Sequence, residues 1–288
     1  MNGKSKNILI VFILLLNINL LYGQSFRIAY NYTFSADSTN IELVDNEIML
    51  LDIGVKKSAF FSYSKLQYDS LIIDKYNKSK NSKDLNFLNI YDKSKISFSV
   101  EKEYPSMNII LNTNLGIENY SIKENNKITW DLISETDTYK GFNIKKATTN
   151  FGGRTWIAWY TTDISIFDGP YKFHGLPGLI MKIEDSHNNH KFEFMGIEKR
   201  DELESYFFNL HKNPRKIISN EAFNSIWKDY KKDPAKSAKF LLLNSGTGFK
   251  ISWNGKDYNT SEMIRDTEKN ELEKINRNNN FLKLSLYK

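Results

Sequence analysis

Cysteine is absent from the chain. No disulfide, thiolate metal site, thiol nucleophile or redox pair can form, and those classes of chemistry are excluded at once. A chain of 288 residues has no need of cross-links, because a core of that size buries enough surface without them. Proline is scarce, with 5 in all, and no stretch rich in proline or glycine reads as a linker. No internal repeat is present, so a single β-rich domain over 24–288 is the simpler reading.

A dense block of one charge is also lacking. The net charge of +6 is mild, and Lys231-Lys232 and the lysines from Lys75 to Lys83 lie among Asn, Ser and Asp, as on a solvated surface. Nucleic-acid binding calls for a denser basic stripe, so no nucleic-acid partner is expected. There is no H-E-x-x-H pair, phosphate loop or dinucleotide fingerprint. Ser245-Gly246-Thr247-Gly248 lacks the form and setting of a nucleophile elbow. No cofactor is expected.

Long apolar runs are limited to one. Lys4 and Lys6 give a positive start, Ile8 to Leu21 is almost wholly apolar, and Leu21-Tyr22-Gly23 ends on a small residue. This is the order of a cleavable export signal, with cleavage expected after Gly23. The run is shorter than the roughly 20 apolar residues of a membrane span, so no transmembrane segment is expected in the mature chain. With no Cys to acylate, the protein is not a cysteine-linked lipoprotein. The expected location is the periplasm, the outer-membrane surface or the medium.

What is present is alternation. Phe26, Ile28, Tyr30, Tyr32 and Phe34 fall on one face of a strand, with Arg27, Asn31 and Thr33 on the other. The same period of two recurs at Ile96, Phe98, Val100; at Ile128, Trp130, Leu132; at Phe192, Phe194; at Phe249, Ile251, Trp253; and at Leu282, Leu284, Leu286. The fold class is therefore mainly β with two or three helices packed on a curved antiparallel sheet, half-barrel or sandwich-like. Ser219 is expected to cap a helix with the stripe Ala222, Phe223, Ile226, Trp227, Tyr230. Asp233-Pro234 reads as the start of a second helix through Leu242. Ser261 reads as the cap of a third, through Asn276. Leu66 to Tyr76 fits helix or strand equally, and Asn77 to Asn86 reads as a surface loop.

The segment from Gly141 to Gly196 carries the most information. Phe151-Gly152-Gly153-Arg154 has the paired glycines of a tight hairpin. The strand after it places Trp156, Ala158 and Tyr160 on one face and Ile157 and Trp159 on the other, so both faces need cover. Leu176-Pro177-Gly178-Leu179 fits a type II turn with Gly178 at φ near roughly +80°. Gly169, Pro170, Gly175, Leu179 and Ile180 complete a glycine- and proline-shaped loop.

GRTWIAWYT from Gly153, GPYKF from Gly169 and GLPGLI from Gly175 together resemble the GLPGLI family. Its members are exported proteins of Bacteroidetes-type bacteria, and the resemblance implies an envelope or secreted location and no particular reaction. The family pattern often has Cys close to Ile144, and this chain has none, which removes a thiol-based role.

Three sites compete. Glycines let a backbone approach a ligand closely, and Arg154, Trp156, Trp159, Tyr171, Lys172 and His174 form a candidate ligand site around the loop. Against it stands a purely structural loop with Leu176, Leu179 and Ile180 buried. Asp185, His187 and His190 have spacing for a metal at a hairpin tip, but a period of two sends the two histidines to opposite faces. Asp163, Asp168 and Glu184 are the acids to watch. The residues favour a non-enzymatic protein that binds an apolar or amphipathic ligand, or an envelope partner. The alternative is a secreted hydrolase built on Asp168, His174 and Asp185.

Overall fold

A computed structural model describes residues 25–79, 91–124, 127–200, 215–244, 251–253 and 256–288. The leader, Phe249 and the Ser245–Gly248 segment lie outside these residues.

The strands run β1 Ser25–Phe34, β2 Asp45–Ile53, β3 Lys57–Ser62, β4 Ser99–Glu103, β5 Asn108–Leu115, β6 Glu118–Glu124, β7 Asp131–Tyr139, β8 Phe142–Phe151, β9 Arg154–Thr161, β10 Leu179–Asp185, β11 His190–Arg200 and β12 Lys216–Ile218. They form one open sheet of 12 strands in the order β12-β6-β5-β4-β3-β2-β1-β11-β10-β9-β8-β7. All neighbours are antiparallel except β12, which lies parallel to β6. A separate two-stranded ribbon joins β13 Ile251–Trp253 to β14 Lys256–Tyr258. The helices are α1 Tyr63–Ser79, α2 Asn220–Lys232, α3 Lys236–Asn244 and α4 Thr260–Arg277.

Chain length shows that the sheet curls. Strands β6 and β7 stand ten positions apart in the sheet, about 48 Å if it were flat at roughly 4.8 Å per strand. The chain goes from Glu124 to Asp131 in seven Cα steps, which span at most about 25 Å. The two sides of the sheet must therefore bend toward each other. The mainly β expectation holds, in its half-barrel form.

Alternation sets the inner face of β1, where Ile28, Tyr30, Tyr32 and Phe34 are buried. Two bulges keep the pattern in register with its neighbours. In β11, Met195 is the extra residue, since Ala29 faces Gly196 while Tyr30 faces Phe194. In β10 the extra residue is Met181, which is how Leu179, Ile180 and Met181 are all buried in succession. The outer face is apolar where α1 covers it, as Leu50, Ala59 and Phe61 pack with Leu66. The ambiguous stretch around Leu66 to Tyr76 is thus helical, and residues 77–79 belong to the same helix.

Several local expectations are corrected. Ser219 does cap α2, accepting from Ala222 N–H, but Ala222 itself is exposed, and Phe223 and Trp227 carry the burial. Asp233 closes α2, and α3 begins only at Lys236, with Pro234 left in the turn between them. The cap of α4 is Asn259, not Ser261. Its side chain accepts from Glu262 N–H while the Glu262 carboxylate accepts from Asn259 N–H, a reciprocal arrangement that Ser261 cannot match. Leu282, Leu284 and Leu286 do not form a strand: Leu282 and Leu286 are buried, Leu284 points out, and Leu284–Leu286 is a 3-10 turn.

Candidate functional site

Between β9 and β10 the chain leaves the sheet at Thr162 and returns at Leu179, lying across the concave face. Its anchor is Asp168, whose buried carboxylate accepts from Ser58 Oγ at 2.6 Å, from Gly169 N–H at 2.7 Å, and from Tyr104 Oη and Lys102 Nζ. Lys102 Nζ also donates to Gly169 O at 2.7 Å. Burial pulls the Lys102 pKa below its ordinary value, against the pull of Asp168. These bonds tie the loop to β3 and β4, far across the sheet from the strands that carry it.

A second anchor is Glu124, at the end of β6. Lys172 Nζ lies 2.7 Å from one of its oxygens and Lys283 Nζ lies 3.0 Å from the other. All three groups are buried. Burial, helped by the nearby Lys283 charge, draws the Lys172 ammonium down to about 8 against the pull of Glu124. Burial alone would raise Glu124, but the two lysine charges outweigh it and hold the carboxyl below its usual value.

The turn at the loop's end is not type II. Gly178 has φ +148°, and its N–H donates to Leu176 O at 2.8 Å, a tighter turn across Pro177. The cause is the Thr161 carbonyl: a Cβ on Gly178 would stand 1.8 Å from its oxygen. Gly178 opens out because Leu179 must pair with Thr161 at once. Leu176, Leu179 and Ile180 are buried, as are Gly169 and Pro170, while Gly175 is exposed at φ +88°.

A third network fixes the C-terminal tail. Arg154, on β9, donates to Asp185 Oδ2 at 2.9 Å, to Phe281 O at 3.0 Å and to the Asn280 side chain. Asn280 in turn donates to Ser35 O at 2.8 Å. The tail from Asn278 to Tyr287 is thereby stretched over the rim of the sheet, and Ser285 N–H meets Gly152 O in the β8–β9 turn.

Under this tail lies a cavity of about 630 Å³. Its inner end is made by Tyr32, Leu111, Tyr171 and His190, each nearly inaccessible to solvent. Its wall is Phe34, Phe98, Leu115, Ile275, Phe281 and Tyr287, with Trp227 and Tyr230 of α2. Phe281 and Tyr287 stack at 3.8 Å, and Trp227 meets both edge-on. Asp92, Lys95 and Lys274, all exposed, stand at the rim with Asp45 and Glu271. The site is an aromatic interior with a charged mouth, and its volume lies in the range of small-molecule sites.

The structure disperses the six residues of the sequence-derived ligand site. Tyr171 lines the cavity. Arg154 clamps the tail, and Lys172 is spent on Glu124. His174 is buried, its Nδ1 bonded to Lys172 O at 2.8 Å, and burial lowers its pKa. Trp156 is buried with its indole N–H on Phe151 O at 3.0 Å. Trp159 lies half-buried on the outer face, and the ammonium groups of Lys146 and Lys182 sit over its ring at 5.5 and 5.9 Å.

Asp185, His187 and His190 are not brought together as ligands. His187 points to solvent at the turn, and Asp185 accepts from His190 N–H and Arg154. No group of three His, Cys, Asp or Glu side chains with metal-binding geometry occurs among the described residues. Asp168 and His174 are paired by a backbone bridge, but Asp185 belongs to the separate Arg154 network. None of the three lines the cavity. Asp163 is exposed and Glu184 lies on the half-exposed side of β10.

Sequence reasoning missed most of the cavity, because its walls come from segments far apart in the chain, from β1 to the C-terminal tail. One signal pointed to it: the stripe Phe223, Ile226, Trp227, Tyr230 on α2 is more aromatic than a surface helix needs.

A family model described as a protein of unknown function (Porph_ging) matches residues 116–182. That span runs from the cavity wall at Gly116 through Glu124, Asp168 and Lys172 to β10, and contains the GLPGLI hexapeptide. No curated protein matches the chain. Two solved structures of PNGF-II, in the P21 and C2 space groups, are similar at 19% identity, with TM-scores of 0.48 and 0.46. The likeness covers 71% and 68% of this chain and 33% and 31% of theirs, so the chain spans about a third of the length of those solved chains. No helix among the described residues is long and apolar enough to cross a membrane.

Proposed function

We propose that this chain is an exported, non-enzymatic protein of the GLPGLI type that binds one apolar or amphipathic molecule beneath its C-terminal tail. The observation that carries the reading is the cavity of about 630 Å³, aromatic within and charged at its mouth. Burying apolar ligand surface against Phe34, Phe98, Phe281 and Tyr287 supplies affinity at roughly 25 cal/mol per Å² before the costs of binding. The charged rim lets a polar end stay wet. The order of residues from Lys4 to Gly23, read as an export signal, supports binding at the cell envelope or outside it.

Of the charged groups in the three ion networks, Lys283 lines the cavity, and its ammonium is engaged by Glu124 at 3.0 Å. Asp168 has four donors, Glu124 has two ammonium partners, and Asp185 is engaged by Arg154 and by His190 N–H. Charges so engaged hold structure, whereas a general acid or base needs a free proton site facing substrate.

The test is fluorescence titration of the secreted, leader-free protein with N-phenylnaphthylamine, which brightens in apolar surroundings. Saturable binding with a micromolar or tighter Kd, with quenching of Trp227, is expected. No saturable brightening, or brightening unchanged when Trp227→Ala is used, overturns the reading.

A further inference from the structure

Resting on the cavity reading, we infer that the cavity takes an amphipathic carboxylate whose head accepts from the Tyr171 hydroxyl. Tyr171 belongs to the loop that crosses the concave face and lies at the inner end of the cavity. The residue is 3% exposed, and that remainder opens on the cavity it lines. No hydrogen bond reaches its hydroxyl from the described residues, and the oxygen is not among the polar atoms sealed from solvent without a partner. The hydroxyl is therefore both free and reachable. An O–H in apolar surroundings is destabilised until an acceptor meets it.

The backbone is bent to put it there. Tyr171 has φ +53°, in the left-handed region that a bulky side chain rarely adopts. Such a conformation persists only where the surroundings impose it. Here they do so from both sides. Gly169 N–H donates to Asp168 and its carbonyl accepts from Lys102, while Lys172 is held by Glu124. Phe98 meets the Tyr171 ring edge-on at 5.5 Å and fixes its tilt.

Charge then selects the head. Glu124 is one carboxylate shared by two buried ammonium groups, Lys172 and Lys283, so this cluster carries one positive charge in excess. Lys172 Nζ lies 5.1 Å from the centre of the Tyr171 ring, and Lys283 lines the cavity itself. At the rim, by contrast, Asp45 is matched by Lys95 and Glu271 by Lys274. A ligand carboxylate at Tyr171 brings the buried cluster to two charges of each sign. Burial, followed by the Glu124 charge, raises the Tyr171 pKa well above its ordinary value, so the hydroxyl keeps its proton and donates. A ketone or alcohol accepts the same bond but leaves the charge unmatched. The acid therefore enters head first, and the rim is left to any polar group at its far end.

The experiment is displacement of N-phenylnaphthylamine at neutral pH by three probes of like length: decanoate, methyl octyl ketone and decanol. In the wild-type protein decanoate should displace the dye about tenfold more strongly than either neutral probe. Tyr171→Phe keeps the ring and has no protein hydrogen bond to lose. Its thermal unfolding and dye affinity should match the parent while decanoate weakens about tenfold. Lys283→Met removes the excess charge and should bring decanoate within about twofold of the ketone. If Lys283→Met does not fold, Tyr171→Phe alone decides. A Tyr171→Phe protein that loses stability would reveal a structural partner for the hydroxyl and overturn the inference. Equal displacement by all three probes in the wild type, or decanoate unchanged in either folded variant, overturns it as well while the cavity stands. A wild-type protein that does not bind the dye at all overturns the cavity reading instead.

Discussion

The Arg154 guanidinium and the Asp185 carboxylate, 2.9 Å apart and both buried, are the hinge on which the cavity roof hangs. The same fork holds Asn280 and the Phe281 carbonyl. Arg154→Met removes two tail contacts and leaves the buried Asp185 carboxylate without its guanidinium, which should cost about 3–5 kcal/mol in urea unfolding. Arg154→Lys should rescue little of it, since an ammonium cannot serve carboxylate, amide and carbonyl in one plane. A lysine variant as stable as the parent would show that the fork is dispensable.

Glu124, with Lys172 and Lys283, makes stability depend on pH in two windows. The Glu124 pKa is lowered in the folded protein. The stability it confers is therefore full above the ordinary carboxylate range and is lost as pH falls through the lowered value. Lys172, drawn down to about 8 from 10.5, acts in the other window. Between those values the unfolded chain holds more protons, so stability rises with pH there. Glu124→Gln should flatten the acid limb and cost about 3–5 kcal/mol at neutral pH by stranding two buried ammonium groups. Urea midpoints from acid to alkaline pH check both; an acid limb of the same slope in the variant would assign it to other carboxylates.

The strands of the sheet were legible because one face is buried and alternation reports that directly, as in β1. The paired glycines of Gly152-Gly153 fixed the β8–β9 hairpin for the same local reason, and both have positive φ. What could not be read is long-range. Lys172 looks like any loop lysine until Glu124, from a strand across the sheet, is beside it. Arg154 looked like a ligand contact because nothing near it in sequence foretells Asn280. The Leu282 to Leu286 run misled because a spacing of two is ambiguous over five residues, and the pull of Lys283 toward Glu124 decides it. The two-sided strand from Trp156 to Tyr160 suggested a ligand site around the glycine–proline loop, but Phe173 of that loop packs on Trp156 at 4.7 Å and the cavity is lined by other segments.

Filling the cavity should abolish binding without unfolding the protein. Ile275 is half-buried on α4 and faces the cavity, so Ile275→Trp projects an indole into open space rather than into packed core. Thermal unfolding should change by less than about 1 kcal/mol, because overpacking costs arise only where no void exists. N-phenylnaphthylamine binding should weaken at least tenfold, or about 1.4 kcal/mol. Unchanged dye affinity in a folded Ile275→Trp protein would place the dye elsewhere.

Two glycines of one loop separate backbone strain from collision. Gly175 has φ +88°, and a Cβ there meets nothing within 4 Å. Gly175→Ala should thus pay for its dihedral alone, about 1 kcal/mol. Gly178 has φ +148°, and its Cβ would stand 1.8 Å from the Thr161 oxygen and 2.7 Å from the Thr161 carbonyl carbon. Neither atom belongs to a flexible side chain, so the strand start at Leu179 must move away from β9. Ile180, whose N–H donates to Asp168 O at 3.1 Å and whose carbonyl accepts from Tyr30 Oη at 2.8 Å, would be dragged with it. Gly178→Ala should therefore cost more than about 3 kcal/mol, several times the Gly175→Ala penalty. Urea unfolding of the two variants side by side measures the difference. Equal losses would mean that dihedral strain is the whole effect and that the Thr161 carbonyl yields freely.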